Sequence, residues 1–240
     1  GPLKMVADKY HRYNMLAKLD ASLADWWKIS SNTRITNEVR NRPIYNGEGG
    51  YGMIIHQIFR THPEVYLKSP NGYYSQLSRI PQMQAGYQQF TDNNLMQRVS
   101  TEITPVKNWS INADYSIDYT INNYEGVNLV AYEDQVDGTL LPISLTVPSY
   151  ISKDKANTTY KALNIFSTYK FNIGSDHNFS LMGGYQQESN NYDYLSGLKR
   201  ELITPEVPSI TTATGEMQVF DALSHWATQG YFARLNYNLN

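Results

Sequence analysis

Between Trp109 and Asn122 the chain alternates without a break. Trp109, Ile111, Ala113, Tyr115, Ile117, Tyr119 and Ile121 hold the odd positions, and Ser110, Asn112, Asp114, Ser116, Asp118, Thr120 and Asn122 the even ones. Successive side chains of a β-strand point to opposite faces, so this run has one apolar face and one polar face. Strands of soluble domains usually run about 5–6 residues. A strand this long, with faces this different, suits a wall between lipid and water. The pattern predicts a transmembrane β-barrel, whose strands need about 9–11 residues to cross the hydrocarbon at a tilt.

The same period-2 test picks out six further strands, over 12–21, 27–38, 94–104, 160–171, 178–189 and 226–238, beside the one over 109–124. The 226–238 strand, for example, sets Tyr231, Ala233, Leu235 and Tyr237 against Arg234, Asn236 and Asn238. Short connections (22–26, 105–108, 172–177) alternate with long ones (39–93, 125–159, 190–225). An up-and-down barrel with tight periplasmic turns and large outer loops has this rhythm, whereas long structureless loops are uncommon in compact soluble domains. Seven strands arranged this way cannot close on themselves, so the expectation is an arc of a larger all-β, antiparallel barrel. No signal peptide opens the chain at Gly1-Pro2-Leu3, and since an exported barrel needs one, the expectation is a piece of a longer mature protein. Within the first long loop, 52–60 gathers Met53, Ile54, Ile55, Ile58 and Phe59 and predicts a short helix on the barrel mouth, while Asn71-Gly72 signals a turn.

Composition narrows the chemistry. Mean hydropathy is −0.51 and no stretch suits a membrane helix, but a barrel needs only every second residue apolar. A net charge of −2 without a basic run disfavours nucleic acid as a partner. The 240 residues contain no cysteine, which removes disulfides, thiolate metal sites and cysteine nucleophiles together. The 20 tyrosines suit interfacial girdles or sugar-binding surfaces. No Gly-x-Ser-x-Gly elbow occurs, and the five histidines (His11, His56, His62, His177, His225) show no His-x-x-x-His spacing, so neither a catalytic nor a metal site is expected. Asp134-Gln135-Val136-Asp137-Gly138 lacks the alternating acids and closing glutamate of a calcium loop and reads as a plain turn. The triplets beginning at Asn108, Asn157 and Asn178 match the glycosylation pattern, but two of them sit at tight turns and no modification is expected.

Three stretches carry a family resemblance. Trp226-Ala227-Thr228-Gln229-Gly230-Tyr231-Phe232-Ala233-Arg234-Leu235-Asn236-Tyr237 resembles the "fxgRxnY" strand of SusC/RagA-type TonB-dependent transporters. Tyr13-Asn14 with Leu19-Asp20-Ala21 and Asp25-Trp26-Trp27-Lys28-Ile29 resembles that family's early hairpin, and Asp176-His177-Asn178-Phe179 with Met182-Gly183-Gly184-Tyr185 its "H-x-l…l-x-G-y" hairpin. Their order and spacing agree along nearly the whole chain, although Ile80-Pro81-Gln82-Met83 departs from the Asn-Pro stretch of many relatives. The resemblance implies that residues 1–240 are one segment of a 22-stranded outer-membrane barrel, with a plug domain upstream and further strands downstream. It also implies a SusD-like surface lipoprotein as lid, the TonB complex as energy source, and import of oligosaccharides or, in some members, peptides. No cofactor is implied. A passive porin, an outer-membrane barrel enzyme and a soluble β-rich binding domain are the rival readings.

Candidate binding residues follow from residue type. Tyr45, Tyr51, Tyr66, Tyr73, Tyr74 and Tyr87 in the first long loop offer flat faces to sugar rings, among many Asn and Gln side chains. That neutral, aromatic surface favours an oligosaccharide over a peptide. Arg34, Arg98, Asp114, Asp118, Lys170 and Arg234 lie on the polar faces of strands, where a lumen or plug can satisfy charges that lipid would not.

Overall fold

The computed structural model describes residues 8–47 and 49–239. Seven antiparallel strands form one sheet: β1 (Lys9–Ala24), β2 (Trp27–Pro43), β3 (Gly86–Val106), β4 (Trp109–Asn128), β7 (Tyr150–Ile173), β8 (His177–Arg200) and β9 (Met217–Leu239). Their order across the sheet is their order in the chain, with β1 and β9 at the edges. This is the up-and-down arc the alternation predicts. The loops add helix α1 (Gly52–Phe59), helix α2 (Ile80–Gln84) and a small hairpin of β5 (Tyr132–Asp134) and β6 (Leu140–Pro142).

Register turns the alternation of one strand into two faces of a sheet. The row Ala21–Ile29–Thr101–Ala113–Ile165–Tyr185–Tyr231 runs across all seven strands and is apolar but for one threonine. The adjacent row Asp20–Ser30–Ser100–Asp114–Asn164–Gln186–Gly230 is polar apart from its glycine. A one-residue slip of any strand would exchange these faces, so the contrast between them specifies the register.

The apolar band runs obliquely to the rows. On β4 it spans Trp109 to Ile121. On β8 it ends at Tyr185, whose row meets β4 at Ala113, and starts at His177, whose row meets β7 at Ile173, beyond the Tyr169 that faces Trp109. Strands tilted in a closed barrel require this slant, because membrane depth is level while register is staggered. At the short-turn end the band finishes in aromatics. Phe171 stacks on Phe179 at 5.2 Å and Phe179 meets Tyr237 at 5.0 Å. The Trp27 and Trp109 indole N–H groups donate to Thr101 Oγ1 (2.9 Å) and Ser167 Oγ (2.7 Å), as interfacial tryptophans do with one polar edge.

The strands extend further than the alternation indicates. β7 and β8 have 24 residues each and β3, β4 and β9 have 21, 20 and 23, roughly twice what a crossing needs. The long connections therefore shrink to 44–85, 129–149 and 201–216, the last much shorter than the predicted 190–225. Over these outer stretches the alternation stops while the hydrogen-bond ladder continues.

Burial is concentrated at the long-loop end. Ile44, Ile54, Val127, Ile143 and Ile151 are each 2% exposed or less, and Ala85, Ala131 and Ile143 pack together. The predicted loop helix forms, with Ile54 as its buried anchor, whereas Ile55 and Phe59 are exposed and the Ile58 side chain lies outside the described residues. The Asn71-Gly72 turn also forms, with Gly72 at φ 88° and its N–H donating to Ser69 O. The 134–138 stretch is the turn of the β5–β6 hairpin, closed by Gln135 N–H to Thr139 O.

Candidate functional site

The loop cap is held by one buried amide. Asn128, 1% exposed, donates through Nδ2 to Thr146 O and Pro148 O, both at 2.9 Å, and its Oδ1 accepts from Asn46 Nδ2 at 2.7 Å. Asn46 Oδ1 in turn accepts from the Tyr150 hydroxyl at 2.7 Å. Burial, with Tyr124 nearby, pushes the Tyr150 hydroxyl up to about 12. This network ties the first loop to the second through groups far apart in sequence, and each group has a partner, as buried polar atoms require.

A cleft of about 450 Å³ opens between the three loops. Tyr73 and Tyr74 from the first loop, Tyr132 and Leu140 from the hairpin, and Leu202 and Pro205 from the third loop line it. Two of the six loop tyrosines singled out from sequence therefore meet in a cavity, with Tyr132 as a third aromatic that sequence did not flag. Lys68 Nζ sits 4.4 Å from the Tyr74 ring centre, which orients that ring.

The other four tyrosines separate. The Tyr87 hydroxyl donates to Glu125 Oε1 at 2.6 Å, and Lys153 Nζ lies 2.8 Å from Glu125 Oε2. Burial raises the Glu125 carboxyl, but the hydrogen bonds from Lys153 and Tyr87 outweigh it and the net displacement is downward. Burial, followed by the bond to Glu125, pushes the Tyr87 hydroxyl upward. Tyr51 donates to Asp8, which raises its own hydroxyl, and its ring lies 5.1 Å from the Arg42 guanidinium. Tyr66 is exposed on the loop and Tyr45 is half-buried beside Gly47.

On the polar face, the residues grouped from sequence share one side of the sheet. Arg34 and Asp118 occupy one row, both opposite Met96. Arg98 approaches Asp114 at 3.3 Å. Asp118 Oδ1 accepts from Asn94 Nδ2 at 2.5 Å. Lys170 stands opposite Ser180, and Arg234 opposite Met182 with 3.8 Å between its Nη2 and Sδ. They form a spread of separate contacts, not one constellation.

Sequence reasoning missed a cluster on this face at the long-loop end. Arg40 and Arg42 on β2 lie over the same Phe90 ring at 4.9 and 4.8 Å, and Phe90 packs on Tyr124 at 5.1 Å. Arg42 Nε donates to Gln88 Oε1 (2.9 Å), and Gln88 Nε2 donates to the Tyr124 hydroxyl (3.1 Å). The available signal was the even parity of residues 40, 42, 88, 90 and 124 once β2, β3 and β4 are extended outward. Among the described residues, no group of three or more acids and histidines is placed to hold a metal ion.

No family model matches the chain, and no curated protein matches it. Among solved structures, the RagAB peptide importer in its open-open and closed-closed states matches with TM-scores of 0.74 and 0.73, each at 15% identity. A further structure of the RagAB peptide transporter matches at 0.74 and 14% identity. Each match covers 97% of this chain and 26% of the other, so the chain spans about a quarter of the length of these relatives. The likeness establishes the fold as that of a barrel segment of such transporters.

Proposed function

We propose that this chain is part of an outer-membrane, TonB-dependent importer that carries an oligosaccharide or a peptide and works with a surface lipoprotein as its lid. The oblique apolar band ending in an aromatic girdle carries the membrane reading, because a soluble sheet has no reason to slant its apolar face against its own register. On this reading the odd face meets lipid and the even face, with Arg34, Arg98, Asp114, Asp118, Lys170 and Arg234, meets water or a plug. The cap of packed loops around an aromatic cleft supports solute capture at the outer mouth. The RagAB likeness supports a carrier over a catalyst, adds a lipoprotein partner, and brings peptides in beside the oligosaccharide that the neutral first loop favours.

A passive porin shares the barrel physics, and with the 201–216 connection short, loop size does not separate the two readings. Energy dependence separates them. Solute accumulation in cells by the full-length protein should vanish when TonB is deleted. Undiminished uptake without TonB, together with open-channel conductance in planar bilayers, would sink the importer reading and favour the porin.

A further inference from the structure

We propose that Arg40 and Arg42 form a carboxylate-binding site, so that the solute carried by this protein bears a free carboxylate. This rests on the importer reading and adds the charge of its cargo. The two arginines are two residues apart on β2 and so point to the same face. Both guanidinium groups stand over one ring, Phe90. Like charges repel at this spacing, and the negative face of the shared aromatic ring offsets part of that repulsion. Tyr51 covers Arg42 from a second side at 5.1 Å. The Arg42 Nε donates to Gln88, itself fixed by Tyr124, which tethers the side chain beside Phe90. Two neighbouring guanidinium groups are the donors that a carboxylate accepts in bidentate fashion.

Neither arginine has a carboxylate within ion-pair distance among the described residues, whereas Arg98 on the same face has Asp114 at 3.3 Å and Arg12 has Glu38 at 4.0 Å. The nearby acids are engaged elsewhere. Asp92 accepts from Asn122 Nδ2 at 2.6 Å, Asp154 from Ser196 Oγ at 2.6 Å and Ser152 Oγ at 3.2 Å, and Asp8 from Tyr51. Sharing Phe90 and Gln88 with the pair, on the same face, is an open groove of about 380 Å³ lined by Phe90, Tyr124 and Tyr194, with Asp92 and Asp154 also in its wall, so the arginine end is the one that suits a carboxylate. A flexible solute can lie along that groove with its carboxylate against the guanidinium pair. A peptide C-terminus or acidic side chain and a uronic acid share this chemistry.

The test uses the full-length protein purified from outer membranes with its partner, and measures binding of four probes by calorimetry. These are a tetrapeptide with a free C-terminal carboxylate, its C-terminal amide, a tetragalacturonate, and its methyl ester. The acid of one pair should bind about 10-fold tighter than its neutral partner, and the pair that shows this identifies the source of the carboxylate. The double variant Arg40→Ala/Arg42→Ala should bring acid and neutral forms within about 2-fold, and Arg40→Lys/Arg42→Lys should keep part of the difference. Heat-modifiable gel mobility checks that each variant is a folded barrel. Equal binding of acid and neutral forms by the native protein, an unchanged preference in the folded double variant, or no binding of any probe would each overturn the proposal. Failure of the importer reading would show separately, as uptake independent of TonB.

Discussion

Tyr115 and Ser116 are adjacent on β4 and point to opposite faces, so arginine at each is the sharpest test of the membrane reading. The apolar run from Trp109 to Ile121 has Tyr115 at its centre. At about 3.3 Å per residue and a tilt near 45°, the run covers roughly 28 Å of depth, close to the ~25 Å apolar band of such barrels. Tyr115 therefore lies near the midplane, flanked across the sheet by Val99 and Leu163, with no polar side chain beside it in its row. Arginine there should cost about 2–4 kcal/mol, a shift of roughly 30- to 1,000-fold in the folding equilibrium. Arginine at 116 faces Arg98 across the strands but has Asp114 and Asp118 two residues away on the same face. Its cost should stay near 0–1 kcal/mol. Ile117 is the weaker probe, because Lys161 already stands opposite it and marks the approach to the polar boundary. The assay is urea unfolding of the full-length protein reconstituted in phospholipid vesicles, followed by tryptophan fluorescence. Equal losses for Tyr115→Arg and Ser116→Arg, or a larger loss for Ser116→Arg, would refute the assignment of faces.

Three further outcomes are expected at the long-loop end. Gly86 has φ 130° and a Cβ there would fall on the Val127 carbonyl, so Gly86→Ala should loosen the first loop and speed protease cleavage within 44–85 on intact cells. Asn128→Leu removes the partner of the buried Thr146 carbonyl, of the Pro148 carbonyl and of Asn46, and should cost about 1–3 kcal/mol of local stability, read as faster amide exchange over 129–149. Because the Glu125 carboxyl is held below its ordinary 4.5, its contribution is complete above that value and is lost as pH falls through the depressed one. Protection of the Tyr87 and Lys153 amides should therefore drop as pH falls below the ordinary carboxylate range in the native protein, and Glu125→Gln should flatten that dependence.

What the sequence by itself determined is what depends on near neighbours. Face parity repeats every two residues, so Trp109 to Ile121 announced a strand with one apolar and one polar face, and the short turns around Asn108 and Gly174 announced its direction of return. The alternation lost sight of the strands where the apolar face ends, since beyond Tyr124 and before Tyr160 a residue is in β-structure only because its backbone finds a neighbouring strand. Partnerships across the cap were out of reach for the same reason. Tyr150 bonds Asn46 across 104 residues, Tyr87 leaves its loop companions for Glu125, and Arg40 and Arg42 meet over Phe90 only when β2 and β3 come into register. Those contacts follow from which strand lies beside which, and that is decided when the whole sheet assembles.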